Sequence, residues 1–135
     1  MSTTSILLVE DHKVFAQALL HILSSMQDLE VVAIAESAEQ AIELLRDLKV
    51  DLVLADVSLP HMSGISLVKK LREQHPNLRC AVLSGHVSPE YIQSALDAGA
   101  RGYLFKDSPH GIREGIPRIL NGEVYISKEG SFNSD

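Results

Sequence analysis

Ile6-Leu7-Leu8-Val9-Glu10-Asp11 and Leu52-Val53-Leu54-Ala55-Asp56 share one form, a short apolar run that stops abruptly at acid. The form recurs as Cys80-Ala81-Val82-Leu83-Ser84, ending on a hydroxyl, and as Tyr103-Leu104-Phe105-Lys106, ending on an ammonium. A short apolar run bounded by turn signals reads as a strand buried on both faces. If the strands are parallel, their C-terminal ends share one edge of a sheet, the edge where open α/β sheets bind ligands. Glu10, Asp11, Asp56, Ser84 and Lys106, far apart in the chain, are then expected to converge there.

Helical patterns fill the spaces between the runs. Phe15, Leu19, Ile22, Leu23 and Met26 repeat at threes and fours, and Val31-Val32-Ala33-Ile34 supplies a further strand. Ser37 with Gln40 forms a capping box ahead of the stripe Ala38, Ala41, Ile42 and Leu45. Leu67, Val68 and Leu71 make a third stripe, stopped by Pro76. Ser88-Pro89 opens a fourth helix that Gly99 closes, and Ser108-Pro109 opens a fifth. Strict alternation of strand and helix predicts an α/β domain with one five-stranded parallel sheet and helices on both faces. Right-handed crossovers give the order 2-1-3-4-5, a flavodoxin-like, doubly wound (βα)5 arrangement. Its switch point lies between the first and third strands, beside Glu10, Asp11 and Asp56. Pro117 withholds the backbone bond to the Arg113 carbonyl, so a kink or early end is expected in the fifth helix.

Length and composition set the bounds. The chain has 135 residues, 45% of them hydrophobic and 22% charged, which suits one soluble domain with a single sizeable core. Residues 1–128 are read as that domain and 129–135 as a flexible tail, with no output domain in this chain. The net charge of −6 argues against a nucleic-acid binder, which usually carries a basic face. The single cysteine, Cys80, falls mid-strand and reads as a buried thiol in a reducing cytosol, so the expected location is cytoplasmic. Residues 1–5 have no basic, apolar signal pattern, and no stretch approaches the ~20 apolar residues of a membrane helix.

Three adjacent carboxylates repel one another unless a cation joins them. Mg²⁺ prefers hard oxygen ligands and keeps several waters. Asp11, Asp56 and the backbone carbonyl of Ser58 could bind it directly, with Glu10 reaching it through water. Asp56 could then act as a nucleophile, because a carboxylate can form an acyl phosphate. Lys106 would pair with one phosphoryl oxygen and Ser84 would donate to another. The plain alternatives are that Asp11 caps the first helix, that Lys106 is merely solvated and that Tyr103 is core. The six histidines, His12, His21, His61, His75, His86 and His110, are scattered and lack metal-ligand spacing. His86, two residues after Ser84, and Ser58, two after Asp56, lie near the expected mouth of the site.

Four segments carry a resemblance: Leu8-Val9-Glu10-Asp11-His12, the stretch Leu54-Ala55-Asp56-Val57-Ser58-Leu59-Pro60 running on to Gly64, Val82-Leu83-Ser84-Gly85, and Gly99-Ala100-Arg101-Gly102-Tyr103-Leu104-Phe105-Lys106. Together they resemble the receiver domain of bacterial two-component response regulators, in order over about residues 5–122. The resemblance implies that Asp56 takes a phosphoryl group from a phosphohistidine of a sensor histidine kinase, with Mg²⁺ or Mn²⁺ as cofactor. It implies that Glu10 and Asp11 form the acidic pair, that Ser84 and Tyr103 are the switch residues, and that Lys106 binds phosphate. Such a domain catalyses only its own phosphotransfer and dephosphorylation. Glu10 stands where aspartate is common, and Asp107 where many receivers carry proline. In Asp107, and in Gly122-Glu123-Val124-Tyr125-Ile126-Ser127, the chain is similar to the NarL/FixJ subfamily, whose members usually continue into a helix-turn-helix domain. Transcription regulation is therefore expected of a longer parent, and no nucleic-acid binding of this chain alone. The resemblance also implies a homodimer through the fourth helix, fifth strand and fifth helix, where Pro117 departs from the usual pattern.

Three rivals stand beside this reading. A phosphatase with an Asp nucleophile would carry a second Asp as general acid where this chain has Ser58. A flavin carrier of the same topology would have a phosphate loop rich in glycine and hydroxyls where this chain has Glu10-Asp11. A degenerate receiver, controlled by protein contact, would have no need of the complete set.

Overall fold

The computed structural model describes residues 3–86 and 88–127. The elements alternate as β1 (Thr4–Val9), α1 (Lys13–Ser24), β2 (Leu29–Ala35), α2 (Ala38–Leu44), β3 (Leu52–Asp56) and α3 (Gly64–Gln74), followed by β4 (Arg79–Ser84), α4 (Pro89–Ala98), β5 (Gly102–Phe105), α5 (Pro109–Leu120) and β6 (Tyr125–Ile126). The sheet order is β2-β1-β3-β4-β5-β6, parallel throughout. The expected order 2-1-3-4-5 is present, with a sixth strand added at the far edge. That strand is two residues long and is held by Tyr125 N–H donating to the Arg101 carbonyl and Ser127 N–H to the Tyr103 carbonyl. A two-residue strand leaves no apolar run long enough to be read from sequence. The expected tail, 129–135, lies outside the described residues.

The sheet is buried on both faces, which explains the unbroken apolar runs. Alternate strand residues point to opposite sides. Leu7, Val9, Val53, Ala55 and Val82 pack under α2, α3 and α4, while Ile6, Leu8, Leu52, Leu54, Ala81 and Leu83 pack under α1 and α5. The helix boundaries follow the cap residues. Ser37, Ser63, Ser88 and Ser108 each accept a hydrogen bond from a backbone N–H in the first turn of the helix that follows. Gly99 closes α4 at φ 111°, a left-handed conformation that glycine adopts at little cost.

The fifth helix does not end early at Pro117. It continues to Leu120. Pro117 and Arg113 both lie on the exposed face, so the carbonyl that proline leaves without a donor is in reach of solvent. The opposite face buries Ile112, Gly115, Ile116 and Ile119, and that packing holds the helix across the proline.

Candidate phosphoryl and metal site

Parallel pairing in register delivers the functional residues to one edge. Asp56 is the last residue of β3 and Ser84 the last of β4; Glu10 follows β1 and Lys106 follows β5. Ladder bonds continue past the strand ends and fix these positions. Glu10 N–H donates to the Ala35 carbonyl, Val57 N–H to Leu83 and Lys106 N–H to Ser84. Glu10, Asp56 and Ser84 are each about 2% exposed or less.

The Lys106 ammonium links the two buried carboxylates. Its Nζ lies 2.7 Å from Asp56 Oδ2 and 3.2 Å from Glu10 Oε1. It also sits 4.4 Å from the centre of the Phe15 ring, a cation–π contact that steadies its approach from the α1 side. Burial pulls the Lys106 ammonium down, but the hydrogen bond and charge of Asp56, joined by Glu10, outweigh it and leave its pKa raised. Glu10 is raised chiefly by burial, with the neighbouring Asp56 charge adding to it and the His12 N–H opposing. Asp56 is held from both sides, with Oδ1 accepting from Ser58 N–H at 3.0 Å and Oδ2 from Lys106.

Asp11 does not cap α1. The N-cap position belongs to His12, and no side chain caps that helix end. Asp11 turns toward the other acids, and ligand atoms of Glu10, Asp11, His12 and Asp56 lie within 4.8 Å of one another. Asp11 Oδ1 is buried without a hydrogen-bond partner, and so is Glu10 Oε1, whose ion pair with Lys106 lacks hydrogen-bond geometry. Buried oxygens left in that state are costly in a native fold. Three carboxylates with two such oxygens fit a hard divalent cation.

Ser84 stands at the adjacent strand end, but its hydroxyl serves its own loop. Oγ donates to the His86 carbonyl at 3.0 Å and accepts from His86 N–H at 3.1 Å. Tyr103 Oη donates to the same carbonyl at 2.9 Å, and its side chain is buried. The Tyr103 ring is turned inward here, packed as the core alternative has it, with its hydroxyl at the loop. Burial raises the Tyr103 phenol, keeping it a proton donor. Val87, which completes this loop, lies outside the described residues.

The sequence reading missed three participants. His12 was one of six scattered histidines, yet its Nδ1 lies 3.1 Å from Glu10 and 3.4 Å from Asp11. Its position directly after the acidic pair is the signal that was present. Phe15 falls at core spacing in its stripe, yet its ring lies 4.4 Å from the Lys106 ammonium. Gly64 matters for space: a Cβ there would stand 2.2 Å from the Asp56 carbonyl oxygen. Only glycine lets α3 start that close to the end of β3.

Parallel strands that bring acids, a hydroxyl and an ammonium to one sheet edge are the setting of a known family. The family model for the response regulator receiver domain matches residues 6–116, and the chain belongs to that family. It is 35% identical over 125 residues to the nitrate/nitrite response regulator protein NarL of Escherichia coli K12, covering 92% of this chain and 58% of NarL. It is 30% identical over 129 residues to the transcriptional regulatory protein DegU of Brevibacillus brevis, covering 95% of this chain and 55% of DegU. The chain thus spans a little over half of these relatives' length. Among solved structures, a LuxR-family two-component response regulator from an Aurantimonas species superposes with a TM-score of 0.90 at 29% identity, covering 95% of this chain and 92% of that one. The receiver domain of a NarL from Mycobacterium tuberculosis superposes at 0.85 with 27% identity, covering 91% of this chain and all of that one. The NarL-like affinity expected from Asp107 and residues 122–127 is supported, and the chain is a receiver domain of the signalling kind. No helix among the described residues is long and apolar enough to cross a membrane.

Proposed function

We propose that Asp56 accepts a phosphoryl group from a phosphohistidine of a sensor histidine kinase. The observation that carries this is the Lys106 ammonium, 2.7 Å from the Asp56 carboxylate and paired with Glu10 at the sheet edge. A carboxylate oxygen of Asp56 attacks phosphorus, the P–N bond breaks, and the imidazole leaves with the bonding pair. Lys106 stays as a cation through the transfer, as its raised pKa favours, and pairs with oxygen of the arriving group. Ser58 N–H orients Asp56 and remains beside the new acyl phosphate. Glu10, Asp11 and Asp56, with the Ser58 carbonyl, would hold Mg²⁺ or Mn²⁺. A cation bound there supplies positive charge that the anionic reactants otherwise lack. In dephosphorylation water attacks the same phosphorus, the P–O bond to Asp56 breaks, and the Asp56 carboxylate and inorganic phosphate are released.

Ser84 is the reader of the event. A phosphoryl oxygen is a stronger acceptor than the His86 carbonyl, so Ser84 Oγ exchanges one for the other. The His86 loop, which Tyr103 also holds, then shifts against α4. The altered face of α4, β5 and α5 is the surface we assign to partner contact, including self-association. Because DegU is named as a transcriptional regulatory protein, we assign regulation of transcription to a longer parent, acting in the cytoplasm, with nucleic-acid contact outside residues 1–128. A gel-shift titration of this chain should show no sequence-dependent DNA binding at physiological salt; tight, specific retardation would contradict that division.

The direct test is incubation with acetyl phosphate and Mg²⁺, read by intact mass. One phosphoryl mass is expected on the wild type and none on Asp56→Asn or with chelator. Equal labelling of Asp56→Asn would place the acceptor elsewhere.

A further inference from the structure

The acidic pocket is not made of oxygen alone. His12 Nδ1 lies 3.1 Å from Glu10 Oε2, 3.4 Å from Asp11 Oδ1 and 3.8 Å from Asp56 Oδ2, so one nitrogen lies close to three carboxylates. This placement is held by the backbone. His12 N–H donates to Glu10 Oε2 at 3.0 Å, and the residue adopts an extended conformation, φ −89° and ψ 108°, immediately before α1. The ring is thereby folded back over the carboxylates while the helix runs outward. Its side chain is 63% exposed, as a ligand at the mouth of a pocket would be. The 3.1 Å separation from Glu10 Oε2 is hydrogen-bond distance, so with a proton on Nδ1 this nitrogen donates to Glu10; with the proton on Nε2 the same nitrogen offers its lone pair to a cation. Two buried oxygens without hydrogen-bond partners, Glu10 Oε1 beside the Lys106 ammonium and Asp11 Oδ1 beside His12, are groups that a bound cation would satisfy.

We propose that His12 Nδ1 is a ligand of the divalent cation in this pocket, and that it shifts the site's preference from Mg²⁺ toward Mn²⁺. The inference rests on the metal reading of Glu10, Asp11 and Asp56 given above. Its chemistry follows from ligand type. Mg²⁺ selects hard oxygen and parts with water reluctantly. Mn²⁺ shares the preference of Mg²⁺ for carboxylate oxygen, but it parts with water more easily and takes an imidazole nitrogen more readily than Mg²⁺ does. A pocket with three carboxylates and one imidazole therefore discriminates where a pocket of carboxylates alone does so weakly.

The test is pulsed EPR of Mn²⁺ bound to the whole chain, with natural-abundance and ¹⁵N-histidine protein, paired with Mn²⁺ and Mg²⁺ titrations. Nitrogen coupling from a directly bound imidazole is expected in the wild type, altered by the ¹⁵N label and lost in His12→Ala. The ratio of Mn²⁺ to Mg²⁺ affinity should fall roughly tenfold in that variant, mostly through weaker Mn²⁺ binding. Mn²⁺ that binds without histidine nitrogen coupling, or an unchanged ratio in His12→Ala, overturns the proposal. Asp11→Asn with Asp56→Asn separates the two claims. If that double variant loses Mn²⁺ but the wild-type spectrum shows no imidazole, the carboxylate site stands and the histidine role falls. If the double variant binds Mn²⁺ as tightly as wild type, both fall. The labelled wild-type spectrum needs no variant, so a poorly folding substitution leaves the test intact.

Discussion

Lys106 is the residue on which the site's charges turn. It places one ammonium against two buried carboxylates, and its side chain is only 16% exposed. Removing it leaves those charges without that neutralising partner, a change that costs about 2 kcal/mol or more at buried positions. Lys106→Met should therefore lower the stability of the metal-free domain by about that amount, and saturating Mg²⁺ should restore much of it. A denaturation midpoint unchanged by the substitution would contradict the coupling. Glu10 gives a second test at this scale. Its folded pKa is raised above the ordinary 4.5, so between that value and its folded pKa the native state binds more protons than the unfolded chain. Stability from this group therefore falls as pH rises from 4.5 through the folded value. Urea titrations of metal-free protein over that range should show a shallower decline in Glu10→Gln than in wild type. Identical slopes would show that Glu10 does not titrate high.

The elements explain what was legible and what was not. Periodicity exposed β1, β3, β4 and β5 because strands buried on both faces need unbroken apolar runs, and their terminal residues were readable as a site for the same reason. Ser37, Ser88-Pro89, Ser108-Pro109 and Gly99 marked helix ends because caps have local chemistry. The short β6 and the survival of α5 past Pro117 were not legible, since both depend on tertiary packing. Proline in α5 interrupts only the solvent face, while the inner face is apolar and buried. Pro117→Ala restores an N–H for the Arg113 carbonyl and should stabilise the domain by roughly 1–2 kcal/mol, part of the intrinsic gain being offset by a freer unfolded chain. A lower melting temperature in that variant would oppose this account of α5. His12, Phe15 and Gly64 escaped for a related reason: their roles come from what α1 and α3 approach, which no linear pattern states. At Gly64 the neighbour is backbone and cannot swing aside. Gly64→Ala should destabilise by about 1–3 kcal/mol and reduce phosphoryl labelling of Asp56. Full labelling with an unchanged melt would show that α3 can retreat without cost.

At the scale of the whole molecule, the proposed function has one sheet edge join a chemical event to a distant face. The Ser84 hydroxyl and the Tyr103 phenol meet on one carbonyl, that of His86, so moving the first bond changes the environment of the second. Under the proposed function, a phosphate mimic would shift a pre-existing equilibrium. Beryllofluoride with Mg²⁺ should move the NMR resonances of His86 and Tyr103 in wild type and much less in Ser84→Ala, although Asp56 stays reactive in both. An equal response would remove Ser84 from the coupling. The central claim lies upstream of this switch, at the carboxylate that Lys106 holds. Intact mass after acetyl phosphate and Mg²⁺ tests it most directly. The account predicts one added phosphoryl group, absent in Asp56→Asn and absent with chelator. A wild-type protein that never gains that mass, or an Asp56→Asn variant that gains it equally, would contradict the account.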